Sequence, residues 1–263
     1  MERLRGKVAI VTGASTGMGR AIAVALAGEG ATLGLVARSA ARLEETASLA
    51  RAQGTEVLAF PGDVSDNEGV KGIIATMVER FGRIDLLVNN AGTNTFHRNL
   101  ADLSLPDWQQ VMSTNLTGAF LFVRHVLPHM RKASGGQIIN ISSGAGLAPN
   151  PPAGVAYSAS KHALHSLNGS INQEERRHGI RACVIAPGET DTPNLDLRPL
   201  PPTPETREKM IRPEDIAGAV VFVATQPDHV SVDMLVMNPT APRNYQGDYE
   251  RYVASGHTQV PLD

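Results

Sequence analysis

The sequence predicts a doubly wound α/β fold, one domain built on a parallel sheet of seven strands with helices on both faces. Three observations carry this reading. Short β-branched runs alternate along the chain with segments of helical apolar periodicity, the joining turns are short and marked by glycine, and the strand candidates are apolar throughout. Alternating strands and helices imply parallel pairing with helical crossovers. Strands apolar on both sides fit a sheet covered on both faces better than a half-exposed antiparallel one.

Taken in order, Lys7–Val11 reads as the first strand and Arg20–Glu29 as the first helix, with Ile22, Val24, Ala25 and Leu26 toward the core and Gly30 placed to end it. Thr32–Val36 is the second strand, Ala40–Gln53 the second helix, and Gly54 its stop. Thr55–Phe60 is the third strand. Ser65 and Glu68 then have capping-box spacing before a helix that ends near Gly82. Ile84–Val88 is the fourth strand, followed by one long helix from about Pro106 to Arg131. Gln137–Ile141, Ile180–Ala186 and Met234–Met237 complete the strands, with helices at about Tyr157–His178 and Pro213–Thr225 between them.

A chain of 263 residues buries ~70–75% of its unfolded surface and needs neither disulfides nor a structural metal to fold. No internal linker separates two cores, so residues 1–240 are expected to form one domain that carries both binding and catalysis. The segment Pro193–Pro213 holds six prolines yet returns to the same sheet, so residues 189–212 read as a loop or lid. Leu195, Leu197, Leu200 and Met210 would give it an apolar underside. Residues 241–263 form a tail in which Tyr245, Tyr249 and Tyr252 make a helical stripe suited to an interface.

Composition excludes several classes of partner. A net charge of −2 offers no basic field to nucleic acid or to a membrane surface. The single cysteine, Cys183, allows no internal disulfide and suits a reducing compartment. The apolar run after Lys7 is too short for a leader or a spanning helix, so a cytoplasmic protein is expected. His125/His129 and His162/His165 have helical spacing but no supporting ligands, and no metal site is expected.

The first strand–helix turn carries the first chemistry. In Thr12-Gly13-Ala14-Ser15-Thr16-Gly17-Met18-Gly19, Gly13 permits the tight turn, Gly17 lets the backbone approach a pyrophosphate, and Gly19 lets helix and strand pack closely, as in the Rossmann fold. The helix start adds free N–H groups and a positive dipole end. The second strand ends Val36-Ala37-Arg38-Ser39, without the carboxylate that usually accepts from an NAD ribose. Arg38 can instead pair with a 2′-phosphate, which points to NADP(H); an NAD-preferring enzyme is the alternative.

These motifs, continued along the chain, resemble the short-chain dehydrogenase/reductase family over nearly its whole length. Thr12–Gly19 fits its T-G-x-x-x-G-x-G turn, and Asp63-Val64 the pair it uses against adenine. Asn89-Asn90-Ala91-Gly92 is its N-N-A-G, Asn115 lies where it keeps a catalytic asparagine, and Ser142-Ser143 closes the fifth strand. Tyr157-Ser158-Ala159-Ser160-Lys161 is its Y-x-x-x-K, and Pro187-Gly188 precedes Thr190 and Thr192. The resemblance implies cofactor contacts from Gly13, Ser15, Thr16, Gly17, Met18, Gly19, Arg38, Asp63, Val64, Asn90, Ala91, Gly92, Tyr157, Lys161, Pro187, Gly188, Thr190 and Thr192. It also implies strand order 3-2-1-4-5-6-7 and a homo-oligomer, a tetramer or a dimer.

The chemistry of Tyr157 and Lys161 supports the same assignment. Four residues apart on a helix, they project from one face. A phenol with a reference pKa of ~10 needs its anion favoured to exchange protons at neutral pH, and a neighbouring ammonium does this. Tyr157 is therefore read as general acid in carbonyl reduction and general base in alcohol oxidation. The resemblance adds Lys161 as a holder of the nicotinamide ribose, Asn115 as support for a relay water, and a serine that orients the substrate oxygen. Thirteen residues before the tyrosine, the family's commonest spacing, falls on Gly144; alignment from the strand side selects Ser143, with Ser142 the other choice.

Two departures stand out. Ala182-Cys183 replaces the common Val-Asn before Pro-Gly, and Cys183 reads as a buried structural thiol. The end of the last strand lacks the common Asp-Gly-Gly, which puts the usual C-terminal packing in doubt. The expected function is an NADP(H)-dependent oxidoreductase acting on a small alcohol or carbonyl substrate. A non-catalytic dinucleotide-binding redox regulator is the rival, and it would need only the glycine turn.

Overall fold

The structure, a computed structural model, describes residues 2–198 and 201–241. Its first strand β1 (Val8–Thr12) leads into α1 (Gly17–Gly28), and β2 (Thr32–Ala37) into α2 (Ala40–Arg51). Next come β3 (Val57–Pro61), α3 (Asn67–Phe81) and β4 (Leu86–Asn89). Helices α4 (Leu105–Met112) and α5 (Gly118–Lys132) precede β5 (Gly136–Ile141). The chain continues through α6 (Val155–Glu175), β6 (Ile180–Pro187), the single turn α7 (Pro204–Arg207), α8 (Pro213–Ala224) and β7 (Met234–Met237). All seven strands pair in parallel, in the order β3-β2-β1-β4-β5-β6-β7.

Alternate residues of each strand feed two separate cores. Ala9 and Val11 of β1 join Ile22 and Leu26 of α1, Leu43 of α2, and Ile216 and Val220 of α8 on one face. Val8 and Ile10 join Ile74 and Met77 of α3, Phe122 and Met130 of α5, and Ile171 of α6 on the other. Packing here is close: a Cβ at Gly34 of β2 would lie 2.7 Å from Met77 Sδ, so α3 rests against the backbone of the sheet at this point. The strand order reverses between β1 and β4, and the crevice beyond their carboxyl ends is where a ligand site is expected.

Three local readings of the sequence need correction. Asp66, not Ser65, caps α3 by accepting from the Glu68 amide. Ser65 instead gives its amide and its hydroxyl to Asp63 Oδ1, a local alternative that pulls it out of the cap. The long helix expected from Pro106 to Arg131 is interrupted by a π-helical turn at Ser113–Thr117, where the Gly118 amide bonds to Ser113 O. The third strand begins at Val57, two residues late, and ends on Pro61, which an edge strand tolerates.

The described residues of the segment expected to form a lid, 189–198 and 201–212, are tied to one another and to the end of β6. A parallel bridge joins Thr190 to Ile211, and Arg207 reaches both Asp191 and Asp196. Arg198 makes a two-pronged pair with Glu189, at 2.8 and 3.1 Å. Leu195 and Met210 are buried beneath it; Leu200 and the tyrosine stripe of the tail lie outside the described residues. Cys183 is buried on β6, and burial pushes its thiol up to about 12, which fits a structural role.

Candidate active site

The glycine turn and the N-N-A-G loop are knitted together. Thr12 Oγ1 accepts from the amides of Asn90 and Ala91, at 3.0 and 3.1 Å, while Asn90 Nδ2 donates to Thr12 O and Gly13 O. Gly13 and Gly17 adopt φ of +65° and +52°, the left-handed region that favours glycine. A Cβ at Gly13 would stand 2.8 Å from Ala91 Cα, and one at Gly19 would collide with Gly13 O. Both positions therefore admit only glycine, as the sequence reading requires.

A cavity of about 320 Å³ opens at this crossing. Gly13, Ser15, Thr16, Gly17, Met18 and Gly19 line one wall, with Asn90, Ala91, Gly92 and Thr192. Arg38, Asp63 and Val64 line the far end. Hydrogen bonds from Ser65 hold the Asp63 carboxyl below its ordinary range, and the Arg38 charge adds to this. Sequence reasoning missed Arg42, which lines the same end together with Ser39 and Gly62. Arg42 lies in the first turn of α2 and carries no sequence signal that sets it apart from a solvated helix residue. Among the described residues, neither Arg38 nor Arg42 is paired with a carboxylate, although Arg20 close by is bound to Glu45. Two exposed arginines facing a polar cavity suit an anion better than the ribose hydroxyls alone would require.

Pro187, Gly188 and Thr190 do not line this cavity. The Gly188 amide bonds to Met237 O and Thr190 Oγ1 to Gly188 O, so these residues shape the end of β6 and the root of the lid. Gly92 joins the cavity to the proposed chemistry, since a Cβ there would lie 3.5 Å from Lys161 Nζ and 3.6 Å from Asn115 Oδ1.

Tyr157 and Lys161 share one face of α6, with Lys161 Nζ 5.6 Å from the phenol ring centre. Lys161 is 3% exposed and donates to Ile141 O at 2.8 Å. Burial pushes its ammonium down to about 8. The phenol of Tyr157 is raised above its ordinary value. Desolvation is the largest influence on it, and a hydrogen bond with Ser143 and the charges of Arg198 and Arg98 act against it.

The two serines of the strand end diverge. Ser143 faces Tyr157, and its Oγ also accepts from the Ala145 amide. Ser142 turns away into the protein, where its Oγ donates to Lys161 O at 3.1 Å. Asn115, 1% exposed at the centre of the π turn, accepts from the Thr93 amide at 2.7 Å and donates to Thr93 O and Ser160 Oγ. Ser160 Oγ in turn donates to Tyr157 O. The Asn115 side-chain amide is therefore committed to protein partners.

Comparisons with known proteins fit this geometry. The family described as short chain dehydrogenase matches residues 7–199. An uncharacterised oxidoreductase of Staphylococcus epidermidis is 34% identical over 239 residues, covering 91% of this chain and all of the relative. The crystal structure of a metagenomic short-chain oxidoreductase in complex with NADP superposes with a TM-score of 0.79 at 35% identity, covering 91% of this chain and 100% of the other. An alcohol dehydrogenase from the archaeon Thermococcus sibiricus, complexed with 5-hydroxy-NADP, gives 0.81 at 33% identity, covering 90% and 98%.

Proposed function

The chain belongs to the short-chain dehydrogenase family, and from that premise we propose that it is an NADP(H)-dependent alcohol dehydrogenase or ketone reductase whose proton donor and acceptor is Tyr157. The observation that carries this reading is that Lys161 and Ser143 both meet Tyr157, while Lys161 Nζ also lies against Gly92 in the wall of the cavity that Gly13–Gly19 help to line. The turn fits a dinucleotide because glycine at 13 and 19 lets it close against Ala91, Asn90 and its own backbone, and Gly13, Gly17 and Gly19 line the cavity without side chains. Arg38 and Arg42 both line the cavity, which supports a role for Arg38 in holding the 2′-phosphate.

When bound, NADP(H) supplies or accepts the hydride. Tyr157 Oη gives its proton to the carbonyl oxygen as that oxygen gains charge, and takes it back in alcohol oxidation. Ser143 holds the same oxygen, a donor aimed at developing charge. Lys161 keeps a cation beneath the phenol and is placed for the nicotinamide ribose, while Asn115 anchors Thr93 and the π turn. Residues 189–212 close the substrate side as a lid within the single domain 1–240. A homo-oligomer is supported by the exposed apolar side chains Phe222 on α8 and Met234 and Val236 on β7. Among the described residues no helix is long and apolar enough to cross a membrane; the cytoplasmic reading rests on the single cysteine, which suits a reducing compartment.

A panel of ketones, diketones, keto esters and aldehydes, followed by NADPH consumption, tests the proposal. Turnover of at least one class is expected. Tight cofactor binding with no turnover across carbonyls and alcohols would favour the redox-regulator reading.

A further inference from the structure

His165 lies one turn beyond Lys161 on α6, half-buried, and its Nε2 is 3.0 Å from Ser142 Oγ. Ser142 is 3% exposed, and its amide is fixed to Ile185 O on the neighbouring strand. Its hydroxyl has two neighbours, the Lys161 carbonyl at 3.1 Å and this imidazole. The single O–H of Ser142 is directed to Lys161 O, a carbonyl that can only accept. Ser142 Oγ must then accept from His165, which fixes the histidine proton on Nε2.

The arrangement is enclosed. A Cβ at Gly146 would lie 2.6 Å from Ser142 Oγ, 2.9 Å from Lys161 O and 3.0 Å from His165 Nε2, so the absence of a side chain there is what makes room for it. Burial and the charges of His162 and Lys161 hold His165 below its ordinary range, which keeps the ring neutral. The end of β5 therefore meets α6 at three consecutive residues: Ile141 through Lys161 Nζ, Ser142 through Lys161 O and His165, and Ser143 through Tyr157.

We propose that His165 is a positioning residue: as a neutral, Nε2-protonated donor it locks Ser142 against Lys161 O, which holds Ser143 and Lys161 in register with Tyr157. The inference rests on Tyr157 being the acid–base group.

Two readouts test it. The first needs no substrate: nitrogen-15 and carbon-13 NMR of the wild-type histidines, with His165 assigned from His165→Gln, should show a neutral ring protonated on Nε2. A ring protonated on Nδ1 overturns the proposal. The second compares His165→Leu, which keeps the bulk, with His165→Gln, which restores an N–H donor, on the panel carbonyl reduced fastest. A displacement of the acid–base group of about 1 Å costs on the order of 100-fold in rate, so His165→Leu should lower kcat at least ~10-fold while NADPH affinity stays within about twofold. His165→Gln should recover most of the loss. Ser142→Ala should match His165→Leu, and the double variant should be no worse than either single one. Equal rates for the Leu and Gln variants would make His165 a packing group and overturn the proposal. If His165→Leu does not fold, the tautomer and the Gln variant still decide. Full activity in Tyr157→Phe would remove the catalytic reading while leaving the tautomer result intact.

Discussion

Lys161 Nζ sits 5.6 Å from the ring centre of Tyr157, buried to 3% exposure and bonded to Ile141 O. The fold thus holds a cation under a phenol at a cost to itself. Free lysine titrates at ~10.4, and burial brings Lys161 down to about 8. The native state therefore disfavours the ammonium, and the penalty is present in full below pH 8 and is relieved as pH rises toward the unfolded value. Wild-type protein should gain about 2 kcal/mol relative to Lys161→Met between about pH 7 and 9.5, while the variant has no turnover. Paired denaturant titrations at the two pH values check this; parallel curves would mean that Lys161 carries no such penalty.

Arg38 should decide the cofactor. A charge-assisted hydrogen bond contributes ~1.5–3 kcal/mol, so Arg38→Ala should weaken NADPH binding about 10- to 100-fold and leave NADH within about twofold. Arg42→Ala should act in the same direction with smaller effect. Calorimetric titration with both cofactors is the measurement, and an equal loss for both would remove the 2′-phosphate reading.

Gly19→Ala places a Cβ against Gly13 O and 2.6 Å from Asn90 Nδ2. Overpacking of this kind costs ~1–3 kcal/mol, and cofactor binding should be lost with it. Gly72, inside α3 with nothing within 4 Å of where a methyl group would stand, is the control. Gly72→Ala should raise stability by ~0.5–1 kcal/mol and leave binding unchanged, as thermal melts and titration would show.

Ser143→Ala removes the donor beside Tyr157 without touching the core. It should lower kcat about 100- to 1,000-fold, with melting temperature and NADPH affinity near wild type. Activity close to wild type would transfer the oxygen-holding role elsewhere.

The sheet was legible because its strands are apolar runs and its helices carry apolar stripes; β7 lies where the apolar run puts it, while α1 starts three residues before the expected Arg20. Element ends were less legible where side chains compete for the backbone. Ser65 and Asp66 both suit a cap, and only the Asp63 carboxylate, which captures Ser65, decides between them. The π turn has no sequence period of its own and depends on Asn115 meeting Thr93 and Ser160, contacts 22 and 45 residues away. In the site, the glycine turn and the Tyr157–Lys161 spacing are local and could be read. Which serine faces Tyr157 depends on how the strand end lies across α6. Arg42 escaped notice because it reads as an ordinary solvated helix residue until the cavity shows what it faces.

The most direct test of the central claim is NADPH binding and turnover in Tyr157→Phe, which deletes one oxygen from a partly buried ring. The account predicts cofactor affinity within about twofold of wild type and a loss of turnover of at least ~100-fold. Turnover at the wild-type rate would contradict it.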